Sequence, residues 1–357
     1  MKKILSFILL ALIILSFACH HVFKKKISYF SMKTDPYYTK TVLQKVDTNT
    51  VNIVVPVLKK FTGEVYIAQD LSSYFQSRGK KVQIISANDY TNKKTFDSFG
   101  RSVNIFIFGH LPCLPNKSGV NVAYVMFPEL PEFVYNGFDI IASASKKYTA
   151  FLASKGFPST YIPQFSNPKR FYYEPLKEQI NVLFIGNVVR LKDDFRPSVD
   201  YALQNNIDIS VYGKGWKGRI DDKYLKGEFI PNDDVHKYYS SAKIVLNDHR
   251  PDMMKYGFIS NRIFDVTASN GFIVSDYMPE IEAIYGNAVP MYRNADELAQ
   301  IVHYFLAHPL ERKAIADKAH QITMQNFTLE KTGDRLLEEI DKIIQKRKAE
   351  GSIIIDE

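Results

Sequence analysis

Cysteine is almost absent from this chain, whose 357 residues include only Cys19 and Cys113. Two cysteines so far apart cannot form a disulfide framework, and neither has the spacing of a zinc ligand. Internal repeats and low-complexity segments are also missing, and Gly213-Lys214-Gly215-Trp216 has neither the Walker nor the dinucleotide glycine spacing. An Asp-x-Asp pair after a strand is missing too, so we predict no metal site.

What the chain does have is typical of a folded protein with a basic surface. Hydrophobic residues make up 46% and charged residues 24%, and the length is sufficient for two domains with cores of their own. The net charge is +8. We interpret this charge as that of a bacterial protein working near anionic lipid. The lysines are scattered and no DNA or RNA motif occurs, so we expect no nucleic-acid partner.

The N-terminus carries an apolar run from Ile4 to Ala18 that continues weakly to Phe23, with Lys2-Lys3 before it and Lys24-Lys25-Lys26 after it. This length and these flanks predict a membrane anchor or signal segment over residues 1–26. Retention as an anchor is our expectation. Cleavage, with export or with lipidation of Cys19, remains the alternative.

Apolar strand patterns then alternate with helical ones, which predicts parallel sheets covered on both faces by helices. Prolines and aromatic residues between Asn167 and Pro175 break the pattern and predict a domain boundary there. We therefore expect a linker at 27–50, α/β domains at 51–170 and 171–327, and a final helix with a tail at 328–357.

The central stretch is 243–276, in which an apolar run ends at Asn247-Asp248-His249 and a second one ends at Asp276. Ser260 is a suitable N-cap for the helix between them. Polar residues at strand ends that meet a helix N-terminus predict a ligand site, and free N–H groups suit a phosphate. Asn261 and Arg262 fall in the first turn of this helix, and Asp265 falls one turn later.

This stretch resembles the donor-binding segment of group 1 glycosyltransferases of the GT-B fold, in the bacterial branch with spore-maturation-type enzymes. The residues that carry the resemblance are Asn247, Asp248, His249, Ser260, Asn261, Arg262, Phe264, Asp265, Ala268, Gly271, Val274, Ser275 and Asp276. One departure concerns the two glutamates, with seven residues between them, that many group 1 enzymes carry. The second position is Asp265 here, whereas the first is Gly257.

The resemblance implies a GT-B architecture: two Rossmann-like domains facing each other across a cleft, with a C-terminal helix that crosses back to the first domain. It implies transfer of a sugar from a nucleotide diphosphate-sugar, a co-substrate rather than a cofactor, to a glycan or lipid-linked acceptor. We expect retention of anomeric configuration without metal. Because nucleotide sugars are cytoplasmic, we expect the domains on the cytoplasmic side of the bacterial inner membrane.

The site residues that follow from strand ends and from the resemblance fall into two groups. The predicted catalytic residues are His249, Glu129 and His110. The predicted donor-binding residues are Gly186, Asn187, Arg190, Lys192, Ser260, Asn261, Arg262 and Asp265. Two other functions stay open: a nucleotide-sugar epimerase of the same fold, and a non-catalytic membrane-bound sugar-binding or scaffold protein, which Gly257 in place of an acid would favour.

Overall fold

The computed structural model describes residues 32–33, 35–39, 42–43, 45–58, 62–108, 114–128, 132–188 and 196–355. The predicted anchor or signal segment, residues 1–26, lies outside these ranges. Within them, no helix combines the length and the apolar character needed to cross a membrane.

The N-terminal domain is built on a parallel sheet. Its first six strands are β1 (Lys45–Val55), β2 (Lys81–Ser86), β3 (Ser102–Phe108), β4 (Val120–Val125), β5 (Ile140–Ser143) and β6 (Ser159–Tyr161). They lie in the order β2-β1-β3-β4-β5-β6. The helices are α1 (Pro36–Thr39), α2 (Gly63–Ser77), α3 (Ala87–Tyr90), α4 (Lys93–Phe99) and α5 (Lys146–Ser154), with a 3-10 turn at Glu132–Tyr135.

The C-terminal domain repeats this plan. Its strands are β7 (Ile180–Ile185), β8 (Ile209–Tyr212), β9 (Leu225–Gly227), β10 (Ala242–Asn247), β11 (Ile273–Asp276) and β12 (Met291–Tyr292), in the order β12-β11-β10-β7-β8-β9. Its helices are α6 (Pro197–Gln204), α7 (Val235–Ser241), α8 (Pro251–Tyr256), α9 (Asn261–Ala268), α10 (Pro279–Tyr285), α11 (Ala295–Ala307) and α12 (Pro309–Asn326), with a 3-10 turn at Gly286–Ala288.

The apolar strands are buried because helices cover both faces of each sheet, as the sequence pattern predicts. Strand β4 is buried along its whole length. Helix α9 turns Ile263, Phe264 and Val266 into the core and leaves its polar first turn at the sheet edge. The predicted class, two Rossmann-like α/β domains, is confirmed.

The last helix returns to the N-terminal domain. Helix α13 (Leu329–Ala349) places Leu336 and Ile340 in one buried cluster with β1 and with Leu71 of α2. The final strand, β13 (Ile354–Ile355), then pairs with the start of β1. Residues far apart in the sequence therefore close the first core.

Two segments differ from the sequence interpretation. Strand β1 begins at Lys45, inside the stretch predicted as a linker over 27–50. The loop predicted after His249 contains helix α8, which starts with Pro251 in its first turn and ends at Gly257 with φ 72°. Proline at the start and a left-handed glycine at the end are standard helix boundaries, so the same two residues that indicate a loop also delimit a short helix.

Candidate functional site

The predicted polar residues meet at the carboxyl edge of the C-terminal sheet. Strands β10 and β11 are parallel neighbours, and Asn247 lies opposite Ser275 in their register. Helix α9 begins between them at Asn261, so its first turn faces the ends of both strands. Polar side chains gather here because parallel strands all end at one edge, where open α/β sheets bind ligands.

His249 joins the three segments. Its backbone N–H and its Nδ1 lie 2.8 and 2.6 Å from the two carboxylate oxygens of Asp276, and its Nε2 lies 2.9 Å from the backbone nitrogen of Ser260. An amide N–H only donates, so Nε2 accepts and Nδ1 carries the ring hydrogen that is donated to Asp276. The His249 side chain is 0% exposed. These contacts favour a positioning role, and the predicted catalytic role of His249 stays a prediction.

Asp276 is held ionised by this arrangement. Its burial acts to raise the pKa of the carboxyl group, but the hydrogen bonds from the ring and backbone N–H groups of His249 and from the Ser275 hydroxyl outweigh it and keep the pKa below its usual value. A buried carboxylate is tolerated only when its oxygens are paired in this way. The pair therefore fixes the loop before α8 to the start of α9.

Arg262 spans the ends of two strands. Its guanidinium nitrogens donate to the side-chain oxygen of Asn247 at 2.7 Å and to the carbonyl of Ile185 at 2.6 Å. The guanidinium carbon lies 5.1 Å from the ring centre of Phe184. A Cβ atom on Gly186 would lie 3.0 Å from the guanidinium, so a glycine gives Arg262 room. The structure thus brings the predicted residues Gly186 and Arg262 together and places a positive charge at the sheet edge.

Asp265 lies partly buried between α9 and the segment that connects the two domains. One carboxylate oxygen accepts from the Ser166 hydroxyl at 2.8 Å, and the other accepts from the Asn261 side chain at 2.8 Å. Burial raises the pKa of Asp265 to about 7, against the lowering effect of those hydrogen bonds. Asp265 is the one predicted donor-binding residue with a carboxyl group, and a perturbed pKa of this kind is typical of functional sites.

A cleft of about 290 Å³ opens beside Asp265 at the carboxyl ends of β7 and β8. Its wall includes the predicted residues Gly186 and Asn187, and aromatic side chains of Phe171, Tyr212 and Tyr239. A polar floor with aromatic walls suits a ring-bearing ligand. A second cavity, about 400 Å³, lies at the amino ends of β10 and β11 and includes none of the predicted residues.

One buried ion pair beside the site was not predicted. The Nε atom of Arg196 lies 3.0 Å from one carboxylate oxygen of Asp248, an ion pair without hydrogen-bond geometry. The other oxygen of Asp248 accepts from the Ser198 hydroxyl at 2.7 Å. The guanidinium of Arg196 lies 5.0 Å from the ring centre of Phe184, which therefore contacts two arginines. The Asn-Asp-His motif marked Asp248, but no local pattern marks Arg196 or the domain-connecting Ser166.

Four predicted residues fall outside the described ranges. His110 lies in 109–113, Glu129 in 129–131, and Arg190 with Lys192 in 189–195. Their roles stay predictions. Among the described residues, no group of three His, Cys, Asp or Glu side chains is placed to hold a metal ion.

Comparison with known proteins agrees with this geometry. A family model described as glycosyl transferase-like matches residues 196–338, which hold α9 and most of the cleft. Spore protein CgeB of Bacillus subtilis is 25% identical over 176 residues, 44% of this chain and 52% of that protein. The chain thus spans about half the length of the curated relative it matches.

Solved structures match over most of both domains. Sucrose-phosphate synthase from Thermosynechococcus elongatus aligns with a TM-score of 0.61 at 12% identity, over 83% of this chain and 100% of that one. HepE of Anabaena, solved in complex with UDP, aligns with a TM-score of 0.61 at 10% identity, over 82% of this chain and 100% of that one. The protein has the GT-B fold. The predicted resemblance to GT-B glycosyltransferases is confirmed, and the matching spore protein agrees with the predicted spore-maturation-type branch.

In this GT-B chain, the carboxyl edges of both sheets meet near the described site. The Gln164 side chain donates to the carbonyls of Met126, from the N-terminal domain, and of Ile259, from the C-terminal domain. The Ser145 hydroxyl, just before α5, donates to the carbonyl of Tyr256 at the end of α8. The cleft beside Asp265 therefore lies next to the seam between the two domains.

Proposed function

We propose that the protein transfers a sugar from a nucleotide diphosphate-sugar to a glycan or lipid-linked acceptor. The observation that carries the proposal is the cleft at the carboxyl edge of the C-terminal sheet, which has Asp265 in its wall and the Arg262 guanidinium at the adjoining strand ends. A nucleotide diphosphate-sugar needs a ring pocket, acceptors for ribose hydroxyls and positive charge for the diphosphate. The site offers all three within one sheet edge.

The nucleoside would occupy the cleft. Aromatic walls from Phe171, Tyr212 and Tyr239 suit a planar base, and Asp265 would accept hydrogen bonds from ribose hydroxyls in place of Ser166 and Asn261. That carboxylate is already placed and partly desolvated, which makes each new hydrogen bond stronger than in water.

The diphosphate would lie against Arg262 and the N-terminus of α9. An arginine in a first helical turn is unfavourable for the helix dipole unless an anion is near. In this chain the guanidinium is held by Asn247 and Ile185, so its charge is in place before the donor binds. Stabilising the leaving diphosphate with a preorganised cation lowers the barrier to transfer.

Retention of configuration and independence of metal are part of the proposal and come from the family resemblance. Activity that persists in a chelator is the expected result. Complete loss in the chelator, restored by magnesium or manganese, would contradict the metal-free mechanism.

The membrane anchor and the cytoplasmic location of both domains are also proposed. A reporter fused after Glu357 tests them directly. We expect a cytoplasm-dependent reporter to be active there, whereas activity of a periplasm-only reporter would place the domains outside and remove them from the nucleotide-sugar pool.

The donor experiment uses purified protein and a panel of nucleotides and nucleotide sugars. Ligands that bind the native state raise the unfolding temperature, so thermal shift identifies the base and the sugar. Nucleotide release that depends on an added acceptor would then establish transfer. Nucleotide release that does not depend on an acceptor would favour hydrolysis. Interconversion of two nucleotide sugars without nucleotide release would favour the epimerase. Absence of nucleotide binding would overturn the proposal.

A further inference from the structure

Gly257, the residue that stands where related enzymes have their first acid, is in contact with a carboxylate from another helix. A Cβ atom on Gly257 would lie 2.5 Å from Oε1 of Glu280, in the first turn of α10, and 3.1 Å from the hydroxyl of Ser145. No real Cβ tolerates the shorter distance, so any other residue would displace the Glu280 carboxylate or the backbone. Gly257 also has a φ of 72°, which favours glycine for a second reason.

Glu280 is partly exposed, but one oxygen of its carboxylate is buried without a hydrogen-bond donor. Oε2 has no partner among the residues that the structure describes. The nearest hydroxyl, that of Ser145, donates its only hydrogen to the carbonyl of Tyr256 at 2.5 Å and accepts from the backbone nitrogen of Tyr148 at 3.1 Å. It therefore cannot also donate to Glu280.

A buried carboxylate oxygen without a hydrogen-bond donor is unfavourable for folding, and such atoms are rare in native structures. The position of Glu280 indicates a use for this one. Glu280 follows the carboxyl end of β11, and Ser145 follows the carboxyl end of β5, so the carboxylate lies at the seam where the ligand-binding edges of both sheets meet. The same strand β11 ends in Asp276, which through His249 fixes the start of α9.

We propose that Glu280 binds hydroxyl groups of the donor's sugar, and that Gly257 is glycine to admit this carboxylate. The proposal rests on the proposed donor function and adds a residue that contacts the sugar rather than the nucleotide. An ionised carboxylate accepts hydrogen bonds at both oxygens, and neighbouring sugar hydroxyls supply the donors that Oε2 lacks. The acid absent from position 257 is thereby supplied from α10.

The test compares Glu280→Gln with Glu282→Gln, which removes the same charge from an exposed position of the same helix. Each variant is titrated with UDP-linked and GDP-linked hexoses and with UDP and GDP alone. For Glu280→Gln we expect the preferred nucleotide sugar to lose roughly tenfold to a hundredfold in kcat/KM, the scale of a lost charge-assisted hydrogen bond. Affinity for the matching nucleoside diphosphate should stay within about twofold of the wild-type value, because this ligand lacks the transferred hexose that Glu280 would contact. Glu282→Gln should match the wild type in both.

The unfolding temperature provides a second test, because a purely structural role of Glu280 predicts the opposite change. Because Oε2 has no hydrogen-bond donor to lose, the unfolding temperature of Glu280→Gln should equal that of the wild type or exceed it. A lower unfolding temperature, with equal loss of nucleotide and nucleotide sugar, would show that Glu280 only supports the fold and would overturn the proposal. So would an unchanged kcat/KM for the nucleotide sugar. A wild-type protein that binds no nucleotide would instead overturn the donor function itself, and the sugar contact with it.

Discussion

At the scale of single residues, Asp265 links the donor cleft to the rest of the chain. Its two oxygens accept from Ser166, in the segment between the domains, and from Asn261, in its own helix. Each carboxylate oxygen has a second acceptor site, so a ribose can bind Asp265 beside these donors or in place of one of them. Replacement of Ser166 would loosen the contact between α9 and the domain-connecting segment.

The protonation of Asp265 makes the first prediction. Burial raises its pKa to about 7 in the folded protein, whereas an unfolded aspartate titrates near about 4. Between these two pKa values the folded protein keeps a proton that the unfolded chain has released. The contribution of Asp265 to the free energy of unfolding therefore falls as the pH rises and is lowest above a pH of about 7. Asp265→Asn cannot titrate. The free energy of unfolding of Asp265→Asn minus that of the wild type, measured in denaturant titrations, should therefore increase from pH 5 to pH 8.

The same titration should appear in ligand binding. Ribose hydroxyls donate more strongly to the ionised carboxylate, so the ratio of wild-type to Asp265→Asn affinity for a nucleoside diphosphate should grow from pH 6 to pH 8. Using the ratio cancels the titration of the phosphate itself. Asp222→Asn, at an exposed carboxylate, serves as the control. A ratio that does not change with pH would remove Asp265 from the ribose.

Arg262 gives the second prediction. Arg262→Ala should weaken binding of a nucleoside diphosphate by roughly 2–3 kcal/mol, the scale of charge-assisted hydrogen bonds to phosphate. Arg262→Lys keeps the charge but cannot reach Asn247 and Ile185 together, so we expect an intermediate loss. Calorimetric titration measures both, with Arg219→Ala as a control at an exposed arginine of the same domain. Full affinity in a folded Arg262→Ala protein would exclude Arg262 from the phosphates.

At the scale of elements, His249 holds the loop before α8, the end of β11 and the start of α9. Substitution with alanine leaves the Ser260 N–H without a partner, at about 1–3 kcal/mol. It also removes the buried imidazole and one of the hydrogen bonds to Asp276, which keeps the Ser275 hydroxyl on the same oxygen. We therefore predict that His249→Ala lowers the free energy of unfolding by several kcal/mol, together with nucleotide affinity. A variant with wild-type stability and lost kcat would instead support the predicted catalytic role.

The elements themselves were largely predictable from periodicity, and the contacts were not. Helix α11, for example, has Asn294 as its N-cap and an apolar stripe along its length, and the sequence alone shows both features. The Ser-Asn-Arg segment likewise predicted the start of α9. The pairing of Arg196 with Asp248, or of Glu280 with Gly257, joins residues from separate elements, and only the fold brings them together. Local pattern carries no information about such pairs.

At the scale of the whole molecule, a buried ion pair ties α2 to the segment between the domains. Asp70 accepts from one guanidinium nitrogen of Arg170 at 3.0 Å and from the Asn167 side chain at 2.7 Å, and a second guanidinium nitrogen lies 2.9 Å from its other oxygen. Removing one member leaves the other charge buried, which costs about 3–5 kcal/mol. We predict this loss for Asp70→Ala in denaturant titrations. The exposed pair Lys342–Glu338 is the control, since Glu338→Ala should leave the free energy of unfolding close to that of the wild type.

The crossing helix α13 offers the last prediction, in which two effects oppose each other. Gly333 lies inside α13, where alanine would be favoured by about 1 kcal/mol from helix propensity. The ring of Tyr74 on α2 occupies the space beside it, however, and a Cβ on Gly333 would lie 2.5 Å from that ring. The ring is held in place, because the Tyr74 hydroxyl donates to Asp334 at 2.6 Å. Overpacking of this kind costs about 1–3 kcal/mol, so the clash should outweigh the propensity.

Gly333→Ala should therefore lower the free energy of unfolding, although the substitution favours a helix. Gly63→Ala is the matched control, because Gly63 lies at the start of α2 and a Cβ added there would have no atom within 4 Å, so stability should stay equal or rise slightly. If α13 packs on α2 as described, the double variant Gly333→Ala with Tyr74→Leu should recover part of the loss, because leucine has no ring at that position. A Gly333→Ala protein as stable as the wild type would mean that α13 does not pack closely on the N-terminal domain.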